Sequence, residues 1–286
     1  MVYYILLITA AVLYSLSFYF NRNVEKQCSN GIDTAILFSL VTWLEAFVIL
    51  FAVMRGHITV TPFSVICAFV HATFLITFAF LNLRAFAVAD LAKYSMFTML
   101  GGMLVPFIFG IVFFGDDITL GKIICCLLVS AALYIESIGG KINKKAVFYL
   151  MAVFLVNGSF GVISTIHQNS ELSHADTLSY MALQSAWVIC FGCFWMIKKR
   201  LSQNNQPIVK NKKAYVNMLF YGIVNGSAEL ILLFAIKHVQ PSVQYPIITG
   251  GVIIFSTLVS MIIGENKNLK SLIPVGITFI GLLFLL

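Results

Sequence analysis

Apolar runs of about 20 residues follow one another along almost the whole chain, separated by short polar stretches. A helix of that length crosses the hydrocarbon core of a bilayer. Most of the separating stretches contain Gly, Pro, Asn or Asp, which is typical of turns. The pattern therefore predicts ten transmembrane helices, at residues 3–20, 34–54, 62–83, 91–114, 119–137, 146–166, 177–197, 214–236, 244–263 and 271–286.

The composition excludes a water-soluble fold. Hydrophobic residues make up 60% of the chain and charged residues 10%, against roughly 25% charged residues in soluble domains. We find no phosphate-binding glycine loop, nucleophile elbow or metal-ligand cluster in the sequence, and we interpret the six cysteines as packing residues. We therefore expect no enzymatic activity and no cofactor, and any transport must be driven by a gradient.

The basic residues are distributed unevenly between alternate loops. Of the 18 lysines and arginines, all but Arg55, Lys122 and Lys237 lie in loops on one predicted side of the membrane. Cytoplasmic loops carry an excess of such residues. The count predicts a multi-pass protein of the cell (inner or plasma) membrane with both termini outside and the loop 198–213 inside. Because these charges lie in loops between spans, we expect no nucleic-acid partner.

The two halves of the chain match each other. We interpret 1–143 and 144–286 as five-helix repeats, which insert with opposite orientations because their number of spans is odd. Two such bundles facing each other permit alternating access to a midplane cavity. The matches are Asp33-Thr34 with Asp176-Thr177 and Tyr14 with Asn157 at a shift of 143, then Gly101-Gly102 with Gly250-Gly251, Gly115 with Gly264 and Asp116 with Glu265 at a shift of 149.

Two stretches resemble a known family. Residues 93–120, KYSMFTMLGGMLVPFIFGIVFFGDDITL, and 242–269, SVQYPIITGGVIIFSTLVSMIIGENKNL, are similar to the fourth and ninth spans of ten-helix EamA-like members of the drug/metabolite transporter superfamily. In that family these spans end in a bulky apolar stretch followed by Gly-Glu; the acids here are Asp116 and Glu265. The resemblance implies small-molecule transport by two inverted repeats.

The chain departs from the superfamily in two respects. Family members of this size usually have both termini in the cytoplasm, whereas the basic residues here predict the reverse orientation. The small four-helix multidrug antiporters of the superfamily carry a glutamate in the first span, and the first span here has none. Their coupling scheme is therefore not carried over.

Three ionisable residues in the middle of predicted spans are candidate coupling groups, namely Glu45, His71 and Glu229. Such groups are costly in a membrane unless they face a cavity or a partner. The alternatives are a protonated Glu229 that is hydrogen-bonded between helices, and a neutral His71 that bonds a carbonyl of a neighbouring helix.

Neutral polar residues complete the predicted substrate pathway. Asn157, Gly161, Ser164 and Gln168 recur at helical spacing in the sixth span and form one polar stripe. Lys93 and Arg84 either bind an anionic substrate or, as we favour, anchor the helix ends at the lipid headgroups. The pathway comprises Tyr14, Ser17, His71, Thr77, Tyr94, Asn157, Ser164, Asn225, Glu229, Tyr245 and Thr249.

These features favour a secondary carrier of a small metabolite or xenobiotic that is amino-acid-like, sugar-derived or amphiphilic. The alternatives are a flippase for a lipid-linked sugar and a non-transporting scaffold or accessory subunit. A scaffold predicts that Asn157, Asn225 and Glu229 pack against dry neighbours, whereas a carrier predicts that they line a cleft. We expect the partners to be the solute, the bilayer and a coupling proton or ion, and the protein to be a monomer or homodimer.

Overall fold

The computed structural model describes residues 2–28, 31–115, 117, 119–138, 144–173, 175–201, 211–236, 238–239, 246–265 and 272–284. Their regular secondary structure is entirely helical. The helices are α1 (Val2–Gln27), α2 (Ile32–Val53), α3 (Pro62–Phe86), α4 (Leu91–Phe109) continued by a π-helical turn (Gly110–Phe114), α5 (Leu120–Ile138), α6 (Lys144–Asn169), α7 (Thr177–Leu201), α8 (Lys212–Ile236), α9 (Gly251–Ile262) preceded by a π-helical turn (Pro246–Gly250), and α10 (Leu272–Leu283).

Within this described part, six helices are long and apolar enough to cross a membrane. The predicted class of an all-helical protein with long apolar helices is therefore confirmed. Shorter apolar helical stretches lie at Leu120–Ile135, Ile247–Ile262 and Leu272–Leu283. The six long segments are Val2–Gln27, Ile32–Val53, Pro62–Phe86, Leu91–Phe114, Lys144–Asn169 and Thr177–Leu201.

Local sequence sets several helix ends. Thr61 caps α3 by accepting a hydrogen bond from the Ser64 N–H at 3.1 Å, and Asp90 caps α4 by accepting one from the Lys93 N–H at 2.9 Å. Gly115 and Gly264 follow the fourth and ninth helical segments with φ of 70° and 75°. Glycine adopts this left-handed conformation without the steric cost that a side chain would add.

The principal helix contacts join the first half of the chain to the second. Helix α1 packs on α8 and α9, and α6 packs on α3 and α4. Further contacts pair α2 with α7, α2 with α8, α3 with α7, α4 with α9, and α5 with α10. The core therefore lies between the two halves rather than within each.

Glycines allow α4 and α6 to approach closely. A Cβ atom at Gly101 would overlap the backbone of Phe154, and one at Gly161 would overlap Pro106. In the corresponding contact between α9 and α1, a Cβ at Gly251 would lie 2.9 Å from that of Ala11. Glycine at these positions thus allows the helix backbones to approach closely.

The ends of the helices meet in two groups. Glu265, after α9, pairs with Arg22 and Lys26 at the end of α1, and Asp33 at the start of α2 pairs with Lys199 near the end of α7. We call this group the basic end.

The opposite end contains the starts of α3 and α7 and the end of α6. Ser64 Oγ lies 2.8 Å from His167 Nε2, and the Thr59 N–H donates to Ser179 Oγ at 2.9 Å. The two ends thus differ in their contacts. The helices meet through neutral hydrogen bonds at the opposite end and through ion pairs at the basic end.

Candidate functional site: a cavity between the two halves of the chain

A cavity of about 390 Å³ lies between helices α1 to α4 of the first half and α6 to α8 of the second. Its volume is within the range of roughly 300–1,000 Å³ that is usual for small-molecule sites. The wall is aromatic and neutral for the most part, with a few side-chain amides and hydroxyls and one carboxylate, that of Glu229.

The cavity brings together much of the predicted pathway. His71 and Asn82 both line it, as expected for residues eleven apart on one helix face. Gln168 of the polar stripe lines it too, whereas Gly161 packs against Pro106 instead. The pathway residues that line the cavity are Tyr14, His71, Asn157, Ser164, Asn225 and Glu229.

Three other predicted residues, which the structure describes, are buried outside the lining. Ser17 is buried behind the wall, where its hydroxyl donates to Asn225 Oδ1 at 3.4 Å. Tyr94 is buried in an aromatic cluster, with its ring centroid 3.8 Å from that of Phe86. Thr249 is buried in the π-helical turn before α9. Tyr245 lies outside the described residues.

Thr77 is exposed on the outer face of α3, where its hydroxyl donates to the Thr73 carbonyl. Thr77 follows His71 by six residues, and six residues of an α-helix rotate the side-chain direction by about 240° beyond a full turn. His71 and Thr77 therefore lie on different faces of α3.

Asn157 links the wall to the crossing of α4 and α6. Its amide Nδ2 donates to the Thr98 carbonyl at 2.8 Å and occupies the space that a side chain at Gly102 would fill. At the other crossing, Ser15 of α1 donates to the Val252 carbonyl of α9 at 3.2 Å. A polar side chain thus fixes each crossing to a backbone carbonyl.

Glu229 lies on α8, four residues after Asn225. Its carboxylate is next to the Tyr14 hydroxyl of α1, and Tyr221 lies two turns earlier on α8. Within the described part of the chain, no lysine or arginine pairs with it and none lines the cavity. The site therefore presents one carboxylate without a cationic partner.

Glu45 lies behind the wall, between α2 and α8. Its carboxylate occupies the space next to Gly222 where a Cβ would otherwise stand. Among the described residues, its Oε2 atom is buried and has no hydrogen-bond partner. Glu45 is thus close to the cavity through Gly222, although it does not line it.

His71 is held by side chains of α6 and α7. Its Nδ1 atom lies 2.9 Å from Gln184 Nε2 and 3.3 Å from the Tyr180 hydroxyl, and its ring stacks on Phe160 with centroids 5.1 Å apart. An amide nitrogen donates, so Nδ1 accepts and Nε2 carries the proton of a neutral ring. The neutral alternative for His71 therefore holds with a side-chain amide in place of a carbonyl.

The remaining contacts of the wall come from residues that the sequence did not single out. Trp43, Phe160, Tyr180, Gln184 and Tyr221 all line the cavity. Aromatic residues in an apolar span also serve as packing or interfacial residues, so their type alone does not mark a site. Gln184 is the exception, because an uncharged amide in mid-span is a signal of the same kind as Asn157.

The cavity opens at the opposite end and is closed toward the basic end. Gln168 and Thr177, beside the connection between α6 and α7, line it and are exposed. Toward the basic end the lining residues Phe18 and Phe38 are 6% and 3% exposed, and Phe38 packs on Tyr221 with centroids 4.7 Å apart. We call Phe18, Phe38 and Tyr221 the aromatic floor.

Below the aromatic floor lies an ion-paired cluster. Glu265 accepts hydrogen bonds from Arg22 Nε at 2.9 Å, Lys26 Nζ at 2.6 Å and the Leu91 N–H at 3.2 Å. Burial raises the pKa of Glu265, but these hydrogen bonds outweigh it, so the net pKa is lowered from its ordinary value. The carboxylate therefore stays ionised and ties α9 to α1 and α4.

The other predicted charged residues have local partners. Lys93 Nζ pairs with Asp90 at 3.0 Å, and the Arg84 guanidinium lies 5.3 Å from the centroid of the Phe80 ring. Neither lines the cavity. Cys190 and Cys193 are exposed free thiols, and the described residues contain no group of His, Cys, Asp and Glu that could hold a metal ion.

Comparison with known proteins supports the fold. No family model and no curated protein matches the sequence. The structure is similar to a solved crystal structure described only as that of a protein, with a TM-score of 0.62 and 12% identity over 100% of this chain and 97% of that chain. At that identity the likeness extends to the fold alone.

Proposed function

We propose that this chain is a secondary carrier that moves a small solute by alternating access through the cavity between its two halves. The observation that carries the proposal is a cavity of about 390 Å³, lined from both halves, open at one end and closed at the other by an aromatic floor and ion pairs. A scaffold predicts dry packing for Asn157, Asn225 and Glu229, and all three line this cavity.

The contact pattern supports two inverted repeats. Exchanging the halves turns α1 into α6, α3 into α8, and α4 into α9. The contact of α1 with α8 then becomes that of α6 with α3, and the contact of α4 with α6 becomes that of α9 with α1; all four exist. In this proposal all ten helices cross the membrane and the halves rock about a pseudo-two-fold axis.

A polar route beyond the aromatic floor also supports alternating access. Asn21 of α1 is 1% exposed and lies one residue before Arg22 of the ion-paired cluster. In the described part of the structure neither atom of its amide group has a hydrogen-bond partner. Buried amides are normally satisfied, so we expect water or solute to reach Asn21 when the basic end opens.

The distribution of charge supports an orientation for the carrier. Lysines and arginines accumulate in cytoplasmic loops, so the basic end faces the cytoplasm and the conformation described here opens outward. This orientation places both termini outside, opposite to the habit of the EamA-like transporters that the sequence resembles.

The carrier is tested by finding a solute and then moving it. Solutes of a metabolite library that stabilise the purified protein against heat are assayed for uptake into proteoliposomes, with wild type and Asn225→Ala compared. We expect uptake of a stabilising solute by the wild type and a loss of about tenfold in the variant, whose amide lines the cavity. Ser159→Ala, at a half-buried residue whose hydroxyl donates to the Leu155 carbonyl of its own helix, is the control. Binding without uptake would contradict the proposal.

The orientation has a separate test. A cysteine placed in the loop 202–210, in a chain whose native cysteines are replaced, should resist an impermeant thiol reagent in intact cells and react after permeabilisation. Efficient labelling of intact cells would place this loop outside and reverse the orientation.

A further inference from the structure

We infer that the solute carried by the cavity is an organic monocation with a flat apolar body, such as a protonated aryl-alkyl amine. The inference rests on the proposed function, since it names the cargo of the same cavity. Three features of the wall lead to it: the sign of its charge, its aromatic surface and its volume.

The charge comes from Glu229. Among the residues that the structure describes, it is the one carboxyl group that lines the cavity, and none of the described lining residues is a lysine or arginine. The groups that face it are the Tyr14 hydroxyl from α1 and Tyr221 from α8, and Glu45 from α2 stands behind Gly222. All of these are neutral or acidic. A carboxyl group withdrawn from water is favoured in its ionised form only when a cation pairs with it, so this wall stabilises a positively charged solute and offers nothing comparable to an anion.

The number of carboxylates sets the charge of the solute. Glu45 does not line the cavity, because Gly222 lies between its carboxylate and the open space. Among the described residues, a solute thus makes direct contact with a single carboxyl group, that of Glu229. One contact carboxylate fits one ammonium group.

Aromatic rings form part of the wall. Tyr14 and Tyr221 are next to this carboxyl group, and Phe18, Trp43, Phe78 and Phe160 also line the cavity. Ring faces attract a cation that has been withdrawn from water and pack well against a flat apolar group. The wall is therefore suited to both parts of an amphiphilic cation.

The size of the cavity and the hydrogen-bonding groups of its wall narrow the chemical class of the solute further. A volume of about 390 Å³ lies near the lower end of the range of roughly 300–1,000 Å³ that is usual for small-molecule sites, which favours a compact solute. The Nε2–H of His71, fixed by the bond between Nδ1 and Gln184, provides a donor in the same wall. A small amine that also carries an acceptor, such as a hydroxyl or ether oxygen, satisfies both groups.

The test uses three probes of matched shape and different charge: 2-phenylethylamine, 2-phenylethanol and 3-phenylpropanoate. Their affinities for the purified full-length protein at neutral pH are measured by thermal stabilisation and calorimetry. We expect the amine to bind at least about tenfold more tightly than the alcohol, because hydrogen bonds to charged groups are the stronger ones. The anion should bind more weakly than either.

Variants then assign the preference to Glu229. Glu229→Gln keeps the shape and removes the charge, so the ratio of amine to alcohol affinity should fall to about one. Glu229→Asp keeps the charge and should retain a reduced preference, and Glu171→Gln, an exposed acid of the α6–α7 connection, should retain it in full. The inference is overturned if the alcohol or the anion binds as well as the amine, if no probe binds, or if Glu229→Gln keeps the preference.

The outcome separates this inference from the proposed function. Amine binding that depends on Glu229 without uptake into proteoliposomes would contradict the carrier and keep the cation site. Uptake of a neutral or anionic solute without any preference for the amine would contradict the cation site and keep the carrier.

Discussion

The two ends of the helical bundle are held together by different chemistry. At the basic end, Glu265 pairs with Arg22 and Lys26 between α9 and α1, and Asp33 pairs with Lys199 between α2 and α7. At the opposite end, Ser64 and His167 join α3 to α6, and the indole N–H of Trp187 donates to the Val65 carbonyl. The closed end is ionic and the open end is neutral.

For the proposed carrier, this difference favours the basic end as the one that opens and closes. Ion pairs lose little when water reaches them, because hydration replaces much of the attraction, so an ionic end separates at low cost once it is wetted. The neutral hydrogen bonds between the packed helices of the opposite end give no corresponding reason for that end to separate. We expect the basic end to control access to the cavity, while the α3–α6–α7 contacts at the opposite end stay largely intact.

The largest effect should come from removing the charge of Glu265. In a chain with the native cysteines replaced and Asn21→Cys added, Glu265→Gln should raise alkylation of the new cysteine about tenfold, because one residue holds α9 to both α1 and α4. The measurement is the rate of labelling in detergent. Glu171→Gln is the matched control, since its side chain is exposed at the opposite end. An unchanged rate would remove the ion pairs from the control of access.

Acid should weaken the same contact. The net lowering of the Glu265 pKa means that the folded protein keeps this carboxylate ionised at pH values where an unfolded chain would protonate it. Its contribution to stability is therefore complete at neutral pH and is lost as the pH falls below about 4. We expect the difference in Tm between wild type and Glu265→Gln to be constant from neutral pH to about 5 and to shrink below about 4. A difference that shrinks already near neutrality would contradict the lowered pKa.

A smaller effect is expected at the opposite end. Ser64→Ala removes the hydroxyl that meets His167 and should lower the unfolding free energy by about 1 kcal/mol. Labelling of Asn21→Cys should stay at the wild-type rate, because the basic end is untouched. Ser159→Ala controls for loss of a hydroxyl on the surface of α6. If Ser64→Ala opened the basic end, the two ends would be coupled more tightly than their contacts indicate.

The smallest effect should follow a change on the outer face of α3. Thr77→Val alters an exposed hydroxyl that bonds its own helix. It should change stability by less than about 0.5 kcal/mol and leave the affinity for any stabilising solute unchanged. Reduced affinity would mean that Thr77 reaches the cavity in another conformation.

The sequence predicted the helices well because their signal is additive over about 20 residues. It predicted the site less evenly. His71, Asn157 and Glu229 were found because a polar group in an apolar span is costly wherever it points. Thr77 is near His71 in sequence, but helical phase turns it to another face of α3. Trp43 and Tyr180 carry no signal of their own, because an aromatic ring looks the same in a wall, a core or an interfacial belt.

The ion-paired cluster marks another limit of the sequence. The repeat identified Glu265, yet its partners Arg22 and Lys26 are more than 230 residues away and were counted only as topology signals. A long-range pair between loop residues leaves no periodicity, so only the packing of α9 on α1 reveals it. The same holds for Glu45, whose carboxylate lies against Gly222 of α8.

The crossed packing of the helices has a consequence for synthesis of the protein. Helix α1 leaves the ribosome first, yet its most extensive partner is α8, and the glycine face of α4 receives α6. A nascent chain that ends after α5 leaves these surfaces of α1 and α4 without their partners. Assembly therefore waits for the second half, and a truncated product should be a target for membrane proteases rather than a stable half-protein.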